Sequence, residues 1–161
     1  MRTQPGDPQE LIDELGLAPH PEGGWYRRIH TGTITVTRPE GEQRPGLTLI
    51  HYLLQRGQFS AWHRVDGDEI WHYLAGDDLT LWRATPDGQA ERLPLGAGPT
   101  SAPVRVIPAG DWQAAEPTGD WTLVACAVGP GFAFHGFQLL RDTPDSQHWL
   151  DGNDPHLREL L

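Results

Sequence analysis

The chain has 161 residues, 37% of them hydrophobic and 21% charged, a size and mix that fit one domain with its own core and exclude a disordered chain. Its formal net charge of -10 argues against the basic stripes that nucleic acids and anionic membranes require, so neither is an expected partner. No apolar run approaches the ~18 residues that cross a bilayer, and the N-terminal stretch lacks an apolar signal core, so a cytoplasmic location is expected.

The first element is a helix. Asp7 is a candidate N-cap, Pro8 suits the first helical position, Glu10 follows in the first turn and Gly16 can close the end. Leu11, Ile12 and Leu15 form its apolar stripe. The segment 19-PHPEGGWYRR-28 follows as a turn entering a strand, with Gly23-Gly24 free to take unusual backbone angles. Glu22 and Arg27 in this segment are read as serving structure or a dimer contact, within reach of a pocket mouth.

From there the pattern is β. Runs rich in β-branched and aromatic residues occur at 33–37, 47–54, 69–74, 79–84, 103–107, 111–115 and 121–128, separated by Gly, Pro and Asp punctuation. Strands at this spacing without helices between them indicate an antiparallel sandwich or barrel. A helical turn is expected near 146–150, and Asp154-Pro155 opens another over 155–161. Cys126, the lone cysteine, lies inside 121-WTLVACAV-128, where a small buried hydrophobe is the expected role and no intrachain disulfide can form.

The stretch 57-GQFSAWHRVDGDEIWHYLAG-76 carries the chemistry. Alternation along its second strand puts Glu69, Trp71 and Tyr73 on one face, a carboxylate beside two large rings, and turns His72 to the other. The spacing resembles the first cupin motif, G-x5-H-x-H-x3,4-E-x6-G, through Gly57, His63, Glu69 and Gly76, with Val65 where a second histidine stands. The second motif, G-x5-P-x-G-x2-H-x3-N, is met by Pro108 and Gly110, with Gln113 at the histidine position, Ala102 at the leading glycine and Pro117 at the final asparagine. Together with 19-PHPEGGWYRR-28 and 129-GPGFAFHGFQLL-140, these segments look like the cupin-5 branch of that superfamily, over roughly residues 9 to 141. The resemblance implies an all-β jelly-roll sandwich or barrel, a single domain over 1–161 with a core of about 17–141 and short terminal helices, commonly a homodimer.

The expected site follows. His63 and Glu69 are the polar pair facing a ligand, and Tyr73 is a candidate general acid opposite His63 as base. Gln113, Trp71, His51 and Phe134 are candidate ligand contacts. His63, Glu69 and Gln113 also make the only inherited metal set, in which an amide is a poor ligand for Zn²⁺ or Fe²⁺, so the cofactor is none or a single divalent metal. Proximity of His63 and Glu69 would favour their charged forms, and burial would oppose this. Three functions stay open: a small-molecule-binding cupin acting as epimerase or isomerase on a sugar-like or keto substrate, a metal-dependent dioxygenase or isomerase, and a non-enzymatic ligand-binding protein.

Overall fold

A computed structural model of the chain describes residues 7–161. Asp7 accepts a hydrogen bond from the Gln9 backbone N–H and caps helix α1 (Pro8–Leu15). Gly16 ends the helix in the left-handed region at φ 63°, as its lack of a Cβ allows. Thirteen strands follow: β1 (Ala18–Pro19), β2 (Trp25–Thr31), β3 (Thr35–Thr37), β4 (Gln43–Pro45), β5 (Thr48–Gln55), β6 (Ser60–Val65) and β7 (Asp68–Gly76), then β8 (Leu79–Ala84), β9 (Ala90–Leu95), β10 (Val104–Ile107), β11 (Trp112–Pro117), β12 (Trp121–Gly129) and β13 (Phe137–Leu139). Short 3-10 turns complete the chain, the last one, Pro155–Leu160, capped by Asp154.

Two antiparallel sheets face each other. One runs β1-β2-β5-β12-β7-β10 and the other β13-β6-β11-β8-β9, with β3 and β4 forming a separate ribbon. This is the expected jelly-roll arrangement of two antiparallel sheets, and the sheets do not close into a true barrel. All seven sequence-predicted runs are strands, whereas β6 and β9 escape the sequence pattern. In 60-SAWHRV-65 every residue but Arg64 is buried, so no polar face alternates with an apolar one. The segment of β9 carries Pro94, tolerated because β9 is an edge strand that pairs only with β8.

Three apolar clusters hold this together. Between the sheets lie Trp71, Tyr52, Leu54, Leu79, Leu81, Leu95, Ile107 and Cys126. Outside the six-stranded sheet, α1 buries Leu11 and Ile12 against Leu53, Trp121 and Leu123, each such side chain worth about 1.5–3 kcal/mol of transfer free energy. Outside the five-stranded sheet, the C-terminal turns cover Trp62, Trp112 and Ala114 with Leu140, Trp149, Leu157 and Leu160. The Trp62 indole N–H donates to the Leu157 carbonyl at 2.8 Å. With both outer faces anchored, the inward positions of β6, β7 and β11 are fixed. Among the described residues no helix is long and apolar enough to cross a membrane.

Candidate functional site

One end of the space between the sheets is open. The cavity there has a volume of about 510 Å³, within the range of small-molecule sites. Its floor is polar, and the polar groups arrive from three directions. His63 comes from β6 and Glu69 from β7, in opposite sheets, while Glu22 comes from the turn between β1 and β2.

Glu22 is held by an unusual piece of backbone. Gly23 and Gly24 both lie at positive φ, 106° and 74°. A Cβ at Gly23 would sit 2.2 Å from the Phe59 carbonyl oxygen, so only glycine lets this turn press against the chain leading into β6. The Ala61 backbone N–H then donates to the Glu22 carbonyl at 2.8 Å. The carboxyl group lands beside Ser60, whose hydroxyl donates to Oε1 at 2.9 Å, and Oε2 lies 3.2 Å from His63 Nε2.

His63 has its tautomer set by the strand. Its Nδ1–H donates to the Ala61 carbonyl at 2.7 Å, which leaves Nε2 toward Glu22. Burial lowers the His63 pKa, against the pull of Glu69, and burial raises that of Glu22. For both groups burial is the largest cause, and it disfavours their charged forms. Oε2 and Nε2 are close enough for a proton to pass between them. His20 adds a second imidazole. Its Nδ1 accepts from the Glu22 backbone N–H at 3.1 Å, and burial lowers its pKa too.

Glu69 is held by a different chain of bonds. The Trp71 indole can only donate, and it donates to Gln113 Oε1 at 2.8 Å. The amide nitrogen of Gln113 must then face the other way, and it donates to Glu69 Oε2 at 2.5 Å. Burial pushes the Glu69 carboxyl up to about 7, with His63 and Gln113 opposing. Cys126 lies beside Glu69 as a buried thiol whose pKa is far above its ordinary value, so it is no nucleophile at neutral pH.

The predicted site residues separate in space. His63 and Glu69 line the cavity, and Phe134 stands at its rim, 54% exposed. Gln113 pairs across from His63 on β11 and supports Glu69 from behind. Trp71 is fully buried among apolar side chains and reaches the site only through Gln113, which corrects its expected role as a stacking surface. Tyr73 packs against the same cluster and donates its hydroxyl to the Gly76 carbonyl at 2.6 Å, so it is not an acid facing His63. His51 is also displaced from the cavity, because Thr48 and Ile50 line it from β5 and His51, next along the strand, points to the opposite face. Glu22 and His20 were missed as site residues; the signal available for Glu22 was the glycine pair that follows it.

The metal set fares no better. Val65 lines the wall without a donor, and the one oxygen of Gln113 is engaged by Trp71 while its nitrogen faces Glu69. Among the described residues no group of three His, Cys, Asp or Glu side chains is placed to hold a metal ion. The residues present do not fit a resident divalent cation bound through His63, Glu69 and Gln113.

Comparison with known proteins agrees with the architecture. The Cupin_5 family, described as Cupin superfamily (DUF985), matches residues 9–140. A hypothetical protein from Leishmania major is 28% identical, with a TM-score of 0.78 over 83% of this chain and 86% of that one. A protein from Shewanella oneidensis is 31% identical, with a TM-score of 0.77 over 84% of this chain and 85% of that one. Oxalate decarboxylase from Bacillus subtilis is similar in fold alone, at 16% identity and a TM-score of 0.56 over 76% of this chain and 29% of that one. Among curated proteins nothing matches.

Proposed function

This chain belongs to the Cupin_5 family of the cupin superfamily, and on that premise we propose that it binds a small polar metabolite between its sheets and moves a proton on it, as an isomerase or epimerase of a sugar-like or keto substrate does. The observation that carries this reading is the pairing of two proton-exchanging units on one cavity floor. Glu69, raised to about 7, is part carboxylate at neutral pH and can accept a proton. The Glu22–His63 pair, with Oε2 and Nε2 3.2 Å apart, can hold, deliver or retrieve a second proton.

Proton transfer beside a carbonyl needs a base for the carbon acid and a donor for the developing enolate oxygen. Glu69 supplies the first and the Glu22–His63 pair the second. Burial raises the Glu69 carboxyl to about 7, where acid and base catalysis is most effective, and it raises Glu22 and lowers His63 so that both resist carrying charge. Ser60 and the Ala61 carbonyl fix one unit, and Gln113 with Trp71 fixes the other, so neither must reorganise as the proton moves.

The test is solvent exchange. A panel of aldoses, ketoses and α-keto acids, free and phosphorylated, is incubated with the protein in D₂O and followed by proton NMR. We expect enzyme-dependent loss of one carbon-bound proton signal from a member of the panel, reduced about 10²–10⁴-fold by Glu69→Gln or His63→Gln. Exchange by wild type that persists undiminished in both variants would overturn the assignment of these groups.

A further inference from the structure

The cavity rim differs in charge from the rest of the molecule. In a chain of net charge -10, two adjacent guanidinium groups, Arg27 and Arg28, line the opening. Both side chains are exposed, and among the described residues neither forms an ion pair. Arg38, Arg44, Arg56, Arg83 and Arg158 each meet a carboxylate within 4 Å. Arg64, Arg92, Arg105 and Arg141 form no ion pair either, but of the unpaired arginines among the described residues only Arg27 and Arg28 line this cavity. Arg27 and Arg28 donate only to backbone carbonyls, those of Leu15 at 3.2 Å and Phe132 at 3.4 Å. Most of their donors stay available.

Their placement follows from the sheet. Arg28 pairs with Ile50, a cavity-lining residue, and so projects to the same inner side. Arg27 pairs with His51 on the outer side, but β1 ends its pairing at Tyr26 and leaves the edge beyond it open. The Arg27 side chain crosses that edge to the end of α1 and reaches the rim beside Gly16. A third donor stands further in. The His20 side chain is 6% exposed and lines the cavity. Its Nδ1 is an acceptor, so the neutral ring carries its proton on Nε2, for which the described residues offer no partner.

We propose that the cavity takes a small organic oxyanion, a phosphate ester or a carboxylate, with the charged group on Arg27 and Arg28 and the uncharged carbonyl portion reaching down past His20 to Glu69 and the Glu22–His63 pair. This names the substrate class for the site described above and rests on that reading for the inner half of the ligand only. The polarity of the cavity sets the direction. Its floor holds two carboxyl groups and no permanent cation, so an anion is repelled there, whereas the rim offers two permanent cations suited to bidentate oxyanion contacts.

The experiment is titration calorimetry on the full chain at low ionic strength, with inorganic phosphate, a hexose 6-phosphate, the matching free hexose and pyruvate as probes. We expect the phosphorylated hexose or pyruvate to bind at least tenfold more tightly than the free hexose, with affinity falling as salt rises. Arg28→Gln weakens it about ten- to a hundredfold, and Arg28→Lys restores part of the loss. Preference for phosphate over pyruvate, or the reverse, identifies the kind of oxyanion. Circular dichroism confirms that each variant is folded, and Arg27→Gln serves as a second variant. If wild type binds no anionic probe, or if Arg28→Gln and Arg27→Gln both bind as tightly as wild type, the subsite does not exist. Glu69→Gln separates the two readings: anion binding retained with proton exchange lost supports both. Anion binding in wild type without exchange of any panel member sinks the proton-transfer reading and leaves the subsite standing.

Discussion

The cavity's two carboxyl groups reach it on opposite kinds of backbone. Glu69 is the second residue of a nine-residue strand, in register with neighbours on both sides, and is steadied through Gln113 by an indole from its own strand. Glu22 sits on a turn, and its position depends on two glycines at positive φ, a backbone bond to β6 and the Tyr52 hydroxyl, which donates to the Gly23 carbonyl. The strand carboxyl depends on the sheet, whereas the turn carboxyl depends on one local contortion. The difference matters because the two groups do different work: the first is a lone titrating group near neutrality, the second half of a proton-exchanging pair.

Substitution at the turn is expected to have the largest effect. Gly23→Ala forces a Cβ into the Phe59 carbonyl at a backbone angle that L-residues resist, and should cost about 2–4 kcal/mol in urea denaturation. A Gly23→Ala protein as stable as wild type would mean the turn is not clamped and Glu22 is not held. On the strand side, Trp71→Phe leaves the buried Gln113 oxygen without its donor, and a loss of about 1–3 kcal/mol is expected in the same assay. A smaller loss would show that Gln113 finds another partner and that Glu69 has no fixed support.

The third prediction uses pH. The folded pKa of Glu69 is raised above the unfolded one, so its contribution to stability is full below the unfolded value and is lost as pH rises through about 7. Between pH 6.5 and 8 wild type should lose about 1 kcal/mol that Glu69→Gln does not. The depressed His63 adds little there, because its folded and unfolded forms are both mostly neutral above pH 6.5. Parallel stability–pH curves for the two proteins would contradict the raised value. The smallest effect belongs to Glu22→Gln. The amide copies a protonated Glu22, accepting from Ser60 and donating to His63 Nε2, so less than about 0.5 kcal/mol should be lost at pH 7. A loss of several kcal/mol would mean that Glu22 is ionised and paired with a charged imidazole.

The same contrast governs what could be read in advance. Runs bounded by turn residues, such as Leu79–Ala84 between Asp78 and Pro86-Asp87-Gly88, announce themselves, while Ser60–Val65 does not because burial on both faces hides its alternation. Motif spacing located His63 and Glu69, since both sit in regular strands where counting residues counts positions. Parity put Trp71 and Tyr73 on the Glu69 side, but could not tell how far the cavity extends along the strand, and both lie past its apolar end. Glu22 and Arg27 were placed near a pocket mouth, but their roles in the site, and that of Arg28, were not legible for another reason. Their positions depend on a glycine turn and on an unpaired strand edge, which are tertiary facts. Gln113 was found by position, yet its role follows only from the donor-only indole beside it.

The central claim is that burial, not ion pairing, sets the protonation of this floor, and carboxyl-carbon NMR on glutamate-labelled protein measures it directly. Glu69 should titrate with a midpoint near 7, and Glu22 should titrate above the exposed glutamates. Both resonances, assigned by Glu69→Gln and Glu22→Gln, moving together with the exposed glutamates near pH 4.5 would contradict it and leave the cavity without its acid and base.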